Sequence, residues 1–295
     1  MQPAAVPLEN LRAEIDRIDQ ALLELLIERT DVVRRIGDLK QDHQSGKLAV
    51  RPAREAQILR RLVAEAGERF PPAVLVRMWR EMLAALTRLQ APLSATVCAP
   101  PKSGLATWDL ARDHFGSLTA MTRVDGTSQA VRAVVNGTTT VAVLPLPCDD
   151  DSWWTALLSD QPDRLRVFMR LPFVAAAEGD GSEAQALAVG RAEIEPSGDD
   201  LGVLAIEASA DISRGRLRDL LAAAGLEPTW LALSRSDLHV MHVAETASLA
   251  LDGDPRIEQV QSAARGEILR IVAVGGYPRP VRPAAHALTP AEKTP

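Results

Sequence analysis

The sequence predicts a multidomain α plus α/β protein, in which an all-helical N-terminal unit precedes two units that mix strands and helices. Residues 8–41 contain no proline and a single glycine, and their apolar residues recur at alternating steps of three and four, as in a long helix. From about Ser94 short β-like runs alternate with helical ones as β-α-β-α-β, which favours a small parallel sheet. From about Ala186 the order becomes β-α-β-β-α-β, the ferredoxin-like split unit. We therefore divide the chain into residues 1–93, 94–185, 186–279 and a tail, 280–295.

Composition narrows the class of protein. The chain has 295 residues, enough for two or three domains, and a net charge of −6, which disfavours a general nucleic-acid binder. No run reaches the ~18 apolar residues of a membrane span, and the N-terminus lacks the basic start and apolar core of a signal peptide. Cys98 and Cys148 cannot form a disulfide framework, so we expect a reducing cytoplasm. His239 and His242 are three residues apart in a predicted strand, and we predict no metal site there.

The first helix carries a line of apolar residues, which we call its seam, and this line must be covered along its whole length. The seam is interrupted once, at Arg29, between Leu25 and Val32. A helix of this length spans roughly 45–50 Å at 1.5 Å per residue, so it needs a partner along its whole length. We expect a helical bundle or a helix-swapped dimer. The seam comprises Leu8, Leu11, Ile15, Ile18, Leu22, Leu25, Val32, Ile36 and Leu39.

Two shorter helices complete the N-terminal unit. The polar stretch "QDHQSGKLA" breaks the first pattern, and a second helix is predicted from about Pro52 to Ala66, with Gly67 as its stop. A third helix is predicted from about Pro72 to Gln90. The residues predicted to face inward are Ile58, Leu59, Leu62, Val63 and Ala66 on the second helix and Leu75, Met78, Trp79, Met82, Leu86 and Leu89 on the third.

The remaining segments supply the strands and helices of the two later units. In the middle region "SATVCA", "SLTAMTRV" and "TTTVAVLPLP" are predicted strands, and "GLATWDLARDHFG" and "GTSQAVRAVVNG" are predicted helices. In the third region "PTWLALSR" and "DLHVMHVAE" are predicted strands whose short Ser-Asp junction suggests a hairpin. The proline-rich tail is expected to be disordered.

Several charged or polar residues fall on helix faces otherwise meant for the core. Arg29 lies eighteen residues after Leu11, close to five turns, and Lys40 returns to nearly the same line eleven residues later. Glu55 and Gln90 lie on the apolar faces of the second and third helices. Any one of them could be a snorkelling side chain or half of a buried ion pair. Several unpaired buried cations would be costly, so together they point to a dicarboxylate ligand, which arginine binds well through paired hydrogen bonds.

These residues also carry a family resemblance. The stretches "LRAEIDRIDQALLELLIERTDVVRRIGDLK" and "VRPAREAQILRRL" resemble the all-helical class of chorismate mutase, over about residues 8–93. The resemblance implies an intertwined homodimer of three-helix chains. It also implies the Claisen rearrangement of chorismate to prephenate, without a cofactor.

The resemblance further implies a role for each matching residue. Arg29 and Arg54 would hold the substrate carboxylates, and Arg12 would reach in from the partner subunit. Lys40 and Gln90 would bond the ether oxygen, and Glu55 would hold the substrate hydroxyl. Arg51 stands where some members carry an aspartate, so it is a candidate substrate-binding residue without an assigned role. Leu86 replaces a small polar residue found in some members.

The segments "GLATWDLARDHFG" and "VAVLPLP", and "AVGRAEIEPSGDD" just before the β-α-β-β-α-β unit, carry a second resemblance. With them the rest of the chain resembles a degenerate prephenate dehydratase followed by an ACT-like unit. The threonine-arginine-phenylalanine motif expected before the ACT unit is replaced by "AQALAVG", and Cys148-Asp149-Asp150 stands in place of an asparagine-serine pair. We therefore expect no dehydratase activity. Gly215 and Leu217 match part of the family's effector motif, so they are candidate contacts for a phenylalanine effector. The alternative is a unit that only dimerises or scaffolds.

The sequence thus predicts a chorismate mutase of the phenylalanine and tyrosine pathway with a non-catalytic C-terminal region. One alternative is a bifunctional chorismate mutase–prephenate dehydratase. A second is a non-catalytic, amino-acid-sensing regulatory partner. DNA binding ranks last, because the basic residues lie on inward faces rather than on an exposed stripe.

Overall fold

The structure is a computed structural model, and it describes residues 7–40, 48–101, 104–159, 161, 163–174, 184–235 and 239–281. At Lys40 it describes the backbone only. Most of the tail predicted to be disordered lies outside the described residues, as does the Ser-Asp junction of the predicted hairpin. None of the helices in the described ranges is long and apolar enough to cross a membrane.

The N-terminal unit consists of three helices close to their predicted bounds: α1 (Leu8–Lys40), α2 (Pro52–Ala66) and α3 (Pro72–Gln90). Pro52 occupies the first turn of α2, where a missing N–H is tolerated. Gly67 follows α2 with a φ of 55°, and its N–H bonds to Val63 O. The same pattern of proline in the first turn begins α3. The helices therefore begin at the prolines, and α2 ends at the glycine, that the sequence indicated.

The middle region begins with the predicted parallel sheet. Strands β1 (Ser94–Cys98), β2 (Ala120–Val124) and β3 (Val141–Pro145) alternate with helices α4 (Leu105–Phe115) and α5 (Thr127–Val135). Strand β1 lies between β2 and β3 and is parallel to both. The β-α-β-α-β prediction is confirmed.

Two further strands extend this sheet. A short 3-10 helix, Trp153–Leu157, precedes β4 (Arg166–Leu171) and β5 (Ala186–Gly190). Strand β5 pairs antiparallel with both β3 and β4. The sequence-based division assigned Ala186 to the third region, but its pairing places β5 within the sheet of the middle region. The segment is short and apolar, so its pattern alone could not show which neighbours it would pair with.

The third region has the order β-α-β-β-α-β. It comprises β6 (Asp200–Ser209), α6 (Arg214–Ala223), β7 (Pro228–Arg235), β8 (His239–Thr246), α7 (Pro255–Ala263) and β9 (Ile268–Pro278). Its strands lie in the order β9-β6-β8-β7, and each neighbouring pair is antiparallel. We call residues 200–278 the ferredoxin-like unit.

The middle region and the ferredoxin-like unit share one sheet rather than forming two separate ones. The nine strands run in the order β2-β1-β3-β5-β4-β9-β6-β8-β7, and β4 lies parallel to β9 at Val167 and Gly275. A Cβ at Gly275 would lie 2.1 Å from Val167 O, so the close approach of the two backbones requires glycine. No pattern in the sequence predicted this junction.

The two faces of the sheet are covered in different ways. One face packs against α2, α3 and α4, with Leu59 and Phe115 in that core. The opposite face encloses Trp153, Trp154 and Leu157 of the 3-10 helix. Helix α1 makes its main contact with α3, and its seam stays exposed: Leu22 is 53% and Leu25 61% accessible.

Candidate active site

The predicted site residues on α1 and α3 meet near the ends of these helices. Gln90 is the last residue of α3 and is half-buried, and a Cβ at Gly37 would lie 3.6 Å from Gln90 Cγ. The last turn of α1, which carries Lys40, therefore crosses α3 beside Gln90. The side chain of Lys40 lies outside the described residues. The predicted pairing of Lys40 with Gln90 is thus compatible with the backbone.

Arg29 lies between the core and the surface. Its side chain is half-buried, and its Nη1 atom is shielded from solvent without a hydrogen-bond partner among the described residues. Burial lowers the pKa of this guanidinium from its ordinary value. A shielded donor without an acceptor is unfavourable in isolation, and an anionic ligand would relieve it.

The two arginines that open α2 are exposed. Arg51 Nη1 lies 4.0 Å from Glu195 Oε1, and both side chains are about half accessible, so this pair adds little stability. Arg54 is also exposed. The next residue, Glu55, is buried. Arg54 is thus exposed where Glu55 is buried, although the family resemblance implies that both contact the substrate.

Glu55 forms a buried ion pair that the sequence analysis did not anticipate. Arg80 Nη1 donates to Glu55 Oε2 at 2.5 Å, and the Arg80 and Glu55 side chains are 3% and 12% accessible, respectively. Burial raises the pKa of the Glu55 carboxyl, and the Arg80 charge opposes that rise. Since a guanidinium stays protonated in proteins, we treat the pair as ionised.

Arg12 cannot join these residues within one chain. It lies on the exposed N-terminal half of α1, 28 residues before Lys40, which corresponds to about 42 Å along a helix. Leu11 and Ile15 beside it are exposed as well. Only a second chain could bring an Arg12 side chain to the end of α1.

The candidate effector residues lie in the first turns of α6. Leu217 is fully buried in the core of the ferredoxin-like unit, whereas Gly215 is exposed. Nearby, Asp149 Oδ1 accepts from the Leu233 N–H at 2.9 Å, and Asp149 also pairs with Arg214. The Cys148-Asp149-Asp150 segment therefore ties the middle region to the outer strand of the ferredoxin-like unit.

Arg80 is the polar residue of the helical unit that the sequence analysis missed. It lies four residues after Val76 and four before Ala84, and all three are buried. That i, i+4 line was visible in the sequence, but the aromatic and methionine residues beside it suggested a different face. His242 was considered only as a metal ligand, and no metal site was predicted there. The residue is 1% accessible, and both ring nitrogens lack hydrogen-bond partners among the described residues.

The helical region matches a known family. Residues 11–91 match the family model described as chorismate mutase type II. The N-terminal unit is therefore a chorismate mutase type II domain, which agrees with the resemblance seen in the sequence.

Curated relatives give a more particular comparison. The chain is 29% identical over 142 residues to a bifunctional chorismate mutase/prephenate dehydratase from Pseudomonas aeruginosa, covering 47% of this chain and 38% of the relative. It is 32% identical over 114 residues to a bifunctional chorismate mutase/prephenate dehydratase from Aquifex aeolicus, covering 37% and 30%. The matched part thus spans less than two fifths of either relative. The longer match must include residues outside 11–91.

A solved prephenate dehydratase from Arthrobacter aurescens, in complex with L-Phe, is similar to the chain with a TM-score of 0.46 and 11% identity. The comparison covers 66% of this chain and 94% of that one.

Proposed function

We propose that the protein is a chorismate mutase, which converts chorismate to prephenate by an intramolecular Claisen rearrangement. The observation that carries the proposal is the family match over residues 11–91, within which Arg12, Arg29, Lys40, Arg54 and Gln90 all fall. The shielded, unpartnered donor of Arg29 supports it, because that donor suits a carboxylate.

The proposed mechanism needs only binding and charge stabilisation. Arg29 and Arg54 hold the two carboxylates of chorismate, which keeps the substrate in its compact reactive shape. As the ether bond breaks, negative charge develops on its oxygen. Lys40 and Gln90 donate hydrogen bonds to that oxygen, and these bonds are stronger in the transition state than in the ground state. No cofactor takes part. Arg51 has no assigned role. Glu55, whose carboxylate accepts a hydrogen bond from Arg80 in this structure, is the proposed partner of the substrate hydroxyl, as the family resemblance implies.

The proposed assembly is a homodimer with exchanged helices. The exposed seam of α1 supports it, since large contiguous apolar surfaces mark interaction sites. In such a dimer the N-terminal half of one α1 would lie beside the C-terminal half of the other. This arrangement would bring Arg12 of a second copy to the substrate.

A spectrophotometric assay of chorismate loss tests the proposal. Removing one donor aimed at a developing negative charge reduces turnover by about 100- to 1,000-fold, and we expect that loss for Lys40→Ala. Arg29→Ala should lower kcat/KM by a similar factor. Arg34→Ala, on the exposed side of α1 beside Asp31, is the matched control and should be unimpaired. Full activity in the first two variants would refute the assignment.

A bifunctional chorismate mutase–prephenate dehydratase is the second candidate. The two activities named for the curated relatives favour it. The substituted Cys148-Asp149-Asp150 segment argues against it, because Asp149 is already bound by Leu233 and Arg214. Appearance of phenylpyruvate from prephenate would establish the second activity, and its absence over a long incubation would exclude it.

The ferredoxin-like unit is proposed to be an ACT-like regulatory or dimerisation module. Its strand order and antiparallel pairing support this proposal. Phenylalanine is the proposed effector, with Gly215 and Leu217 as candidate motif residues. A phenylalanine-dependent rise in Tm would support sensing, and an unchanged Tm at millimolar phenylalanine would favour a scaffold. If phenylalanine bound but chorismate was not turned over, the regulatory-partner alternative would be preferred.

A further inference from the structure

Glu55, the proposed partner of the substrate hydroxyl, is held by a residue to which the family resemblance gives no role. Arg80 Nη1 donates a hydrogen bond to Glu55 Oε2 at 2.5 Å. Arg80 lies on α3, ten residues before Gln90, which corresponds to about 15 Å along the helix. Arg80 is therefore remote from the proposed ether-oxygen donors, and its contact with the site is through Glu55.

The two members of this pair differ in what they can offer a ligand. The Glu55 side chain is 12% accessible, whereas the Arg80 side chain is 3% accessible. An ionised carboxylate has about four lone-pair sites on its two oxygens, so the bond to Arg80 leaves sites that can accept from a hydroxyl. Glu55 is thus the member that can meet a substrate, and Arg80 lies behind it.

The guanidinium of Arg80 is in turn fixed by the α/β part of the chain. Arg80 Cζ lies 5.0 Å from the centroid of the Phe173 ring, a cation–π distance, and Phe173 follows β4. His114 and Phe115 of α4 line the same small cavity as Glu55 and Arg80. These contacts restrict the directions in which the guanidinium can point, and so restrict the position of the carboxylate that it binds.

Arg80 also affects the charge of Glu55. Burial raises the pKa of the Glu55 carboxyl, and this rise is opposed first by the Arg80 charge and then by a hydrogen bond from the Arg51 backbone. Without Arg80 the carboxyl would be protonated over a wider range of pH. A hydrogen bond to an ionised acceptor is roughly twice as strong as one between neutral groups, so a protonated Glu55 would bind the substrate hydroxyl less well.

We propose that Arg80 is a positioning residue of the mutase site, which holds the Glu55 carboxylate ionised and in place to accept a hydrogen bond from the substrate hydroxyl. The proposal rests on the proposed mutase function and on the proposed role of Glu55. Arg80 itself does not touch the substrate. Through Phe173, the α/β part of the chain contributes to the activity of the helical unit.

A double-mutant cycle of mutase kcat/KM in the full chain tests the proposal, with every variant measured below its Tm. Arg80→Met should lower kcat/KM about 10- to 100-fold, because a small misplacement of a substrate-binding group can cost up to about 100-fold. Glu55→Gln should cause a loss of similar size. Because Arg80 acts through Glu55, the double variant should lose no more than the weaker of the two single variants, whereas independent effects would multiply.

The double variant also guards against a folding defect. It removes both buried charges, so we expect it to fold even if Arg80→Met alone does not. In that case, equal kcat/KM in Glu55→Gln and in the double variant is the expected result. Arg77→Met is the matched control on α3, since Arg77 pairs with Asp113 at the surface and is 71% accessible. It should keep kcat/KM within about 3-fold of wild type.

The pH profile of kcat/KM gives a readout that a merely structural role would not change. Removal of the Arg80 charge raises the pKa of Glu55 further, so Arg80→Met should lose activity as pH falls from 8 to 5 more steeply than wild type. His114 lines the same cavity, and burial followed by the Arg80 charge holds its pKa well below its ordinary value. The double variant keeps His114 but has no Glu55 carboxyl, so it should lack the steeper fall.

The outcomes separate this proposal from the mutase assignment. If wild type turned over chorismate and Arg80→Met kept kcat/KM and the pH profile of wild type, the positioning role would be overturned and the mutase assignment would stand. A double variant at least 10-fold less active than Glu55→Gln, at equal fraction folded, would also overturn it, because Arg80 would then act independently of Glu55. If wild type did not turn over chorismate, the mutase assignment would fail, and the positioning role with it.

Discussion

Helix α1 and the nine-stranded sheet differ in how far their apolar residues are covered by the rest of the chain. The central strands β3 and β5 are almost completely buried, because α2, α3 and α4 cover one face and α5 with the Trp153–Leu157 segment covers the other. The seam of α1 stays exposed along its length, from 39% at Val32 to 80% at Leu39. The sheet is thus complete within one chain, whereas α1 is not.

The difference shows what an apolar pattern does and does not specify. A seam with a regular period fixes which face of a helix must be covered, but not whether the cover comes from the same chain. A second copy would cover the seam of α1 over about 50 Å, and the same association would deliver Arg12. The comparison therefore predicts that association and activity depend on α1, whereas unfolding within the chain depends on the sheet.

The largest expected effect comes from placing a charge in the seam. Leu22→Glu should raise the dimer Kd by at least about 100-fold, because a carboxylate buried in an apolar interface costs several kcal/mol. Mutase kcat/KM should fall with it, since Arg12 of the second copy would be lost. Analytical ultracentrifugation at micromolar concentration measures the association.

Gln20→Glu is the matched control for Leu22→Glu. It adds the same charge to α1, at an exposed position where Gln20 bonds Glu24. Association and activity should then stay close to wild type. If both variants remained dimeric, the seam would not be the interface, and its exposure would need another explanation.

An intermediate effect is expected where the two parts of the sheet join. Gly275→Ala should lower the free energy of unfolding by about 3 kcal/mol, because its Cβ would clash with the Val167 backbone in a conformation that favours glycine. Urea unfolding measures the change, and association through α1 should be unaffected.

Gly215→Ala, in the same ferredoxin-like unit, is the control for Gly275→Ala. The nearest atom to its Cβ would be Ser213 Oγ at 3.9 Å, so the substitution should be neutral or slightly stabilising. Equal destabilisation by the two changes would mean that the β4–β9 junction does not depend on close approach at Gly275.

Features that depend on neighbouring residues could be predicted from the sequence. Features that depend on residues far apart in the chain could not. Helix ends at Pro52 and Gly67, and the parallel order of β1, β2 and β3, follow from capping, periodicity and connection rules. The pairing of β5 and the approach at Gly275 depend on which edges meet in space. Nothing in a five-residue apolar run or a single glycine specifies that.

The candidate site divides in the same way. Helical periodicity placed Arg29 and Gln90 on faces that the structure half-buries, and it placed Glu55 on a face that the structure buries. Periodicity gives the face of a residue but not its partner. Glu55 had two possible hydrogen-bond donors, a ligand hydroxyl and Arg80, and the structure pairs it with Arg80.

The smallest expected effect is a dependence of stability on pH, which we expect for the sheet and not for association through α1. Burial, followed by the charges of Arg214 and Arg235, lowers the pKa of His242 to about 4, and Asp149 opposes this only in part. At pH values between about 4 and about 6.5, the unfolded chain binds a proton at His242 that the folded chain does not bind. Stability from His242 is therefore complete above about pH 6.5 and is lost as pH falls toward 4.

His242→Leu should reduce the fall in Tm between pH 7 and pH 5 by a few degrees, measured by differential scanning calorimetry. Buried His114 also has its pKa lowered, so some pH dependence should remain. Met241→Leu, on the same strand, should keep the full dependence of wild type. Because α1 contains no histidine, dimer dissociation measured at the same two pH values should not follow the His242 variant. If His242→Leu changed the pH dependence of both Tm and dimer dissociation, the sheet and the α1 interface would be coupled. The burial of the sheet would then not be independent of the second copy.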